Sequence, residues 1–194
     1  MRTDSVSVSE QAQTEAREYV HTTFGKDYTP EKPPSYKTKS KSAQEAHEAI
    51  RPTGVMRTPD ALKDYLSRDQ YKLYKLIWER FVASQMSNAV YDTVRVEIAA
   101  GPSANDRPYL FRSSGSRLRF AGFLALYEDT RDEDDTSDND EGRIFPKMDI
   151  DEVLRMIALL PEQHFTQPPP RYTEASLVRT LEEYGIGRPS TYAP

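Results

Sequence analysis

The apolar period of this chain changes twice, and that limits its possible folds more than any other feature. Up to Asn88, apolar side chains recur at helical intervals. From Val90 they alternate, and beyond Asp149 helical spacing returns. A period near 3.6 places apolar residues on one stripe of a helix, whereas a period of 2 places them on one face of a strand. Helices, then strands, then helices predict an α+β chain rather than alternating parallel units.

Within the first region, Ser7 and Glu10 have capping-box spacing, and Ala12, Ala16, Tyr19, Val20 and Phe24 follow at helical intervals before Gly25. The next stretch, KDYTPEKPPSYKTKSKS, is rich in Pro, Lys and Ser and reads as an extended connection. AQEAHEAI, residues 43–50, predicts a short helix limited by Pro52. Thr58-Pro59 marks a helix start, with Leu62, Tyr65 and Leu66 as its apolar side. Ser67 and Gln70 suggest a second cap, before a stripe of Tyr71, Tyr74, Ile77, Trp78, Phe81 and Val82 that reads as core packing.

Val90, Asp92, Val94, Val96 and Ile98 share one face of a predicted strand, with Thr93, Arg95 and Glu97 on the other. A turn over 102–107 and three short strands at 109–112, 116–120 and 123–127 should follow, joined by turns at Gly115 and Gly122. Together they predict a small antiparallel sheet. In the last region Val153, Leu154, Ile157 and Leu160 have helical spacing, and Gln167–Pro170 breaks the chain. Thr173 should cap a helix carrying Leu177, Val178, Leu181 and Tyr184, ended by Gly185.

Charge narrows the partner classes. Residues 128–141 (EDTRDEDDTSDNDE) hold nine acidic residues and one Arg, a local charge of −8 in a chain of net charge −5. The remainder therefore carries +3, mildly basic and compatible with facing phosphate, while the acidic run reads as a solvated loop. The chain has no Cys, which excludes disulfides and Cys-based zinc sites among these residues. Without a signal-peptide pattern or an apolar run of transmembrane length, a soluble cytoplasmic protein with no membrane partner is expected.

Common enzyme signatures fail one by one. His47-Glu48 begins an HExxH zinc pattern, but Arg51 stands where the second His is needed. GIGRPST lacks the Lys of a phosphate-binding loop and follows a helix rather than a strand. No metal-ligand spacing appears, so no metal site is expected in the chain. Partial sites remain. On a helix, His47 and Arg51 could point the same way and hold a phosphate, or they could be a partly buried His and a surface Arg paired with a neighbouring Glu. Arg188, Ser190, Thr191 and Tyr192 offer a cation, hydroxyls and an aromatic face suited to single-stranded nucleic acid, or simply form a capped turn after Gly187. The stretch Arg2, Thr3, Asp4 and Ser5 is equally open.

MRTDS, AQEAHEAIRPT and RYTEASLVRTLEEYGIGRPSTYA together resemble segments of the bacterial type IA DNA topoisomerase I family, in the family's order. FRSSGSRLRFAGFLALYED is similar to that family's central sheet region. The resemblance covers essentially the whole chain. It implies that the catalytic tyrosine immediately precedes Met1, so that the chain is an internal fragment, itself inactive, without the nucleophile and without the Toprim domain that holds Mg2+ in the parent enzyme.

The parent activity so implied is that of an ATP-independent isomerase that relaxes negatively supercoiled DNA. It breaks one strand through a 5′-phosphotyrosyl intermediate, passes another strand and religates the break. Arg2 is implied at the scissile phosphate and His47 as a phosphate-contacting or proton-managing residue, with Thr3 and Asp4 supporting the tyrosine loop. Arg51, Arg188, Ser190, Thr191 and Tyr192 are implied contacts to single-stranded DNA.

The resemblance also sharpens the fold expectation, to a multi-sub-domain piece of the type IA torus with helical segments flanking a small antiparallel β arch. Residues 1–87 would belong to the helical domain that carries the tyrosine, 88–148 to the arch with its acidic loop 128–141, and 149–194 to the start of the DNA-groove domain. Nucleoid association is implied, and oligomeric state is left open. Two other readings stand beside this one: a non-enzymatic single-stranded nucleic-acid-binding module, and an interaction domain whose acidic loop recruits a basic partner.

Overall fold

A computed structural model of the chain describes residues 5–36, 47–103, 105–127, 145–187 and 191–192. Its elements run α1 (Glu10–Thr23), α2 (Pro59–Leu62), α3 (Arg68–Ser84), β1 (Val90–Ala100), β2 (Tyr109–Phe120) and α4 (Glu174–Glu183), with single 3-10 turns at Lys26–Tyr28, Lys63–Tyr65 and Gly122–Ala125. Contacts divide the chain into two units. Met1–Ala89, Ala121–Thr130 and Tyr172–Pro194 form the first, and Val90–Phe120 with Arg131–Arg171 the second.

The core of the first unit lies where α1 meets α3. Ala12, Ala16 and Val20, spaced four apart on α1, are buried against Trp78, Phe81 and Val82 of α3, with Val55 and Met86 completing the cluster. Two small alanines let the helices approach closely, so the bulky α3 side chains fill the space between them. The Trp78 ring meets Tyr19 edge-on, with centroids 5.4 Å apart. Its Nε1 donates to the Val55 carbonyl at 2.9 Å, satisfying the one polar atom that burying this ring would otherwise strand. Each such large apolar side chain contributes roughly 1.5–3 kcal/mol on burial.

Local signals set the helix ends. Ser67 and Gln70 form a full capping box on α3, and the Thr58 side chain accepts from Ala61 N at the start of α2. Thr173 and Ser176 form another box on α4. That helix closes with Ile186 N on Leu181 O at 2.8 Å and Gly185 N on Glu182 O at 3.1 Å, the paired bonds of a Schellman end. The start of α1 differs from expectation. Its N-cap is Ser9, without a side-chain cap bond. A carboxylate from elsewhere in the chain takes the Ser9 amide instead. The predicted apolar helix after Thr58 is also shorter: α2 stops at Leu62, and the chain continues as a 3-10 turn through Tyr65.

The second unit contains an antiparallel ribbon in which Tyr91 pairs with Leu118, Val94 with Gly115 and Ala100 with Tyr109. The expected break at Gly115 is absent. β2 runs unbroken through Gly115, which takes an extended conformation opposite Val94, so the two short strands predicted at 109–112 and 116–120 become one of twelve residues. Phe123–Tyr127 is not a strand either. Within the first unit, Gly122, at φ +50°, turns the chain beside Asn88 and Ser87, and Phe123 N donates to Ser87 O at 2.9 Å.

Two predicted helices are absent where the chain is described. Residues 153–160 are not helical; Val153, Ile157 and Leu160 are 83–90% exposed, so the stretch has no apolar surface to pack on. A segment this short is marginal as an isolated helix. Residues 47–50 are extended rather than helical, and 43–46 lie outside the described residues. Arg51 precedes Pro52, which disfavours the helical region for it, and Ala49 N bonds to the distant Ser7 carbonyl instead. The acidic run at 128–141 also lies outside the described residues.

Candidate active site

Ser5–Ser9, just downstream of the Arg2-Thr3-Asp4 run, lies alongside His47–Arg51, some forty residues later. Ser5 Oγ donates to the His47 carbonyl and accepts from Ser7 N at 3.3 Å. Ala49 N donates to Ser7 O at 2.7 Å. Ser9 N donates to Glu48 Oε1 at 3.0 Å. Backbone and side-chain bonds thus alternate along the two segments and fix their register.

A second set of contacts ties the 47–55 stretch to the core. Glu15, on α1, accepts from Val55 N through Oε1 at 2.9 Å. Val55 is 1% exposed and accepts from Trp78 through its carbonyl. Pro52, between the two anchor points, is also buried. His47 therefore sits on a segment held at one end by Ser5 and Ser7 and at the other by the α1–α3 core.

Arg51 does not share a helical face with His47. Its guanidinium turns back on Glu48, with Nε on Oε1 at 2.6 Å and Nη2 on Oε2 at 3.2 Å, while Nη1 donates to the Pro52 carbonyl at 3.0 Å. The Arg51 hydrogen bond is the main reason the Glu48 carboxyl falls from its ordinary 4.5 to about 2; burial opposes this, and the Ser9 amide and the Arg51 charge assist it. The pairing of Arg51 with a neighbouring Glu is one of the two arrangements the sequence left open, but Glu48 itself was not among the predicted site residues. Its spacing of three from Arg51 was the one local signal, but only the extended geometry brings Ser9 to the same carboxylate.

The other candidate residues fall into two groups. Arg2, Thr3, Asp4, Arg188 and Ser190 lie outside the described residues. Thr191 is exposed and Tyr192 partly buried, both against Gly187. At Gly187, φ is +77°, which strains any residue with a side chain, and an added Cβ would stand in tight contact, 3.1 Å from the Tyr192 ring and 3.3 Å from Thr191 Oγ1. The GIG turn thus holds Thr191 and Tyr192 close to the end of α4. Among the described residues, no three His, Asp or Glu side chains cluster to hold a metal ion. Nor is any described helix long and apolar enough to cross a membrane.

The family model for DNA topoisomerase matches residues 1–194, the whole chain. This chain belongs to the DNA topoisomerase family. Its relatives include DNA topoisomerase 1 of Xylella fastidiosa, strains Temecula1 and 9a5c, each 51% identical over 193 residues, covering 100% of this chain and 23% of theirs. Among solved structures, full-length topoisomerase I from Thermotoga maritima matches all of the chain and 28% of its own, with 35% identity and a TM-score of 0.69. The type IA likeness of MRTDS, AHEAIRPT and GIGRPSTYA thus belongs to a topoisomerase chain, one that spans about a quarter of the length of these relatives.

Proposed function

We propose that these residues supply part of the DNA-cleaving centre of a longer enzyme that relaxes negatively supercoiled DNA. The observation that carries this reading is the side-by-side packing of Ser5–Ser9 and His47–Arg51. Two of the topoisomerase-like segments, far apart in sequence, meet at one place through Ser5, Ser7 and Glu48.

In this reaction a tyrosine hydroxyl attacks the scissile phosphorus. The tyrosine gives up its proton as the P–O3′ bond breaks, the leaving 3′ oxygen gains a proton to become a hydroxyl, and the 5′ phosphate remains esterified to the tyrosine. After strand passage the 3′ hydroxyl attacks in reverse. The phosphodiester energy is conserved in the tyrosyl ester, so no nucleotide is consumed. On this reading the nucleophile is a tyrosine that precedes Met1 in the longer protein. Arg2 places a fixed positive charge against the charge that develops on the phosphoryl oxygens. Thr3 and Asp4 support the loop. His47, held by its own backbone, contacts the phosphate or handles the 3′ hydroxyl proton. Arg188, Ser190, Thr191 and Tyr192 line the path of the single strand, and Arg51 acts through Glu48 as well as by its charge. Magnesium belongs to the acidic Toprim domain of the longer protein. The enzyme works in the cytoplasm on nucleoid DNA.

Plasmid relaxation by the longer protein, with and without Arg2→Ala, tests the reading. The variant is expected to relax negatively supercoiled DNA about 10²-fold more slowly, and the 194 residues alone are expected to relax none. Relaxation by Arg2→Ala at the unaltered rate would overturn the assignment. Tight oligonucleotide binding by the longer protein without any cleavage would point to a binding module instead.

A further inference from the structure

Glu48 stands where two chain segments meet, Ser5–Ser9 and His47–Pro52, and its exposure argues against a role in stability alone. Its side chain is 26% exposed, and that of Arg51 is 18% exposed. A partly exposed ion pair of this kind contributes little to stability. Its geometry accomplishes more. One oxygen, Oε1, accepts both the Ser9 amide at 3.0 Å and Arg51 Nε at 2.6 Å, while Oε2 accepts Arg51 Nη2 at 3.2 Å. Arg51 passes the constraint on to the Pro52 carbonyl at 3.0 Å, next to the buried ring of Pro52.

The His47–Glu48 peptide is consequently gripped from two directions. Ser5 Oγ donates to its carbonyl oxygen, and one residue on, the Glu48 side chain holds the start of α1. We infer that Glu48 is a positioning residue for DNA cleavage. By tying the Ser9 amide and the Arg51 guanidinium to one carboxylate, it fixes the His47 segment against the stretch that follows Arg2-Thr3-Asp4. This inference rests on the proposed function, because it needs a cleavage reaction to act upon. Glu48 itself touches no DNA on this view.

Small displacements of a catalytic group reduce reaction rate far more than binding affinity, since only the transition state demands the full alignment. Loss of the tie should therefore separate rate from affinity. The test uses the longer protein carrying these residues, a single-stranded oligonucleotide labelled at its 3′ end, and single-turnover formation of the covalent adduct. Glu48→Ala is expected to slow adduct formation about tenfold, with the oligonucleotide Kd within twofold of the parent. Glu48→Gln keeps an acceptor for the Ser9 amide and should stay within about threefold of the parent rate, a rescue that a pure loss of charge would not give.

The inference is overturned if Glu48→Ala forms adduct at the parent rate, if rate and affinity fall together, or if Glu48→Gln is as slow as Glu48→Ala. Should Glu48→Ala fail to fold, the Glu48→Gln rate decides alone, and a tenfold loss there refutes positioning. An unsubstituted protein that forms no adduct under the same conditions refutes the proposed function instead, so the two failures are told apart.

Discussion

Replacing Trp78 with Phe should loosen the support beneath the His47 segment, and its size can be worked out from the contacts. Trp78 is 3% exposed and donates through Nε1 to the carbonyl of Val55, itself 1% exposed. Phenylalanine keeps an aromatic ring facing Tyr19 but cannot donate, leaving a buried carbonyl without that partner at about 1–3 kcal/mol. The smaller ring also leaves a void of several atoms, worth roughly 1 kcal/mol at the usual cost per unit of cavity volume. Together these predict a loss of about 2–4 kcal/mol, enough to lower the thermal midpoint by on the order of 10 °C. Because Trp78 is the only tryptophan, far-ultraviolet circular dichroism in a urea titration must replace intrinsic tryptophan fluorescence. Hydrogen exchange adds local resolution: the Val55 amide, bonded to Glu15, should exchange faster in the variant. A loss below about 0.5 kcal/mol, with Val55 exchange unchanged, would refute the claim that this bond anchors the segment.

Other substitutions probe the remaining supports. Gly122→Ala forces a side chain onto a backbone at φ +50°, with its Cβ 2.5 Å from Asn88 and Ser87 backbone atoms; calorimetry should show a loss above about 2 kcal/mol. The pH dependence follows from Glu48, whose folded value of about 2 lies below its ordinary 4.5. Its contribution is fully present above pH 4.5 and is lost as pH falls through that value towards 2. Arg51→Gln removes the main cause of this shift. The stability gap between parent and variant, up to about 1 kcal/mol, should therefore be largest above pH 4.5 and shrink below it in urea titrations. A gap that stays constant down to pH 2.5 would exclude the ion pair as its source.

How much of this was legible in sequence depended on distance along the chain. The caps of α3 and α4 were readable because each uses residues three apart, and the α1 and α3 stripes were readable because one helix face carries them. The paired strands also followed from alternation, as did the α+β class. Gly115 misled because glycine, although more common in turns, can also take the extended backbone of a strand, and here it pairs with Val94. The 43–50 stretch misled for a different reason: its helical spacing was real, but described residues 47–50 bond to Ser5, Ser7 and Ser9, partners about forty residues away that no local window contains. At 153–160 the spacing was equally real, but the described chain offers those side chains nothing to cover them. The same long-range pairing that defeated the helix prediction is what gathers the candidate site, and the bond from Ser9 to Glu48 stayed hidden for that reason.

Mapping a trapped DNA adduct on the longer protein tests the central claim most directly. The protein is incubated with a single-stranded oligonucleotide, denatured, digested and analysed by mass spectrometry for the phosphonucleotide-bearing peptide. The predicted adduct lies on a tyrosine joined directly to Met-Arg-Thr-Asp-Ser, residues 1–5 of this chain, and its yield falls sharply in Arg2→Ala. An adduct on any other residue, or none while plasmid relaxation proceeds, would contradict the placement of the cleaving centre beside Ser5 and His47.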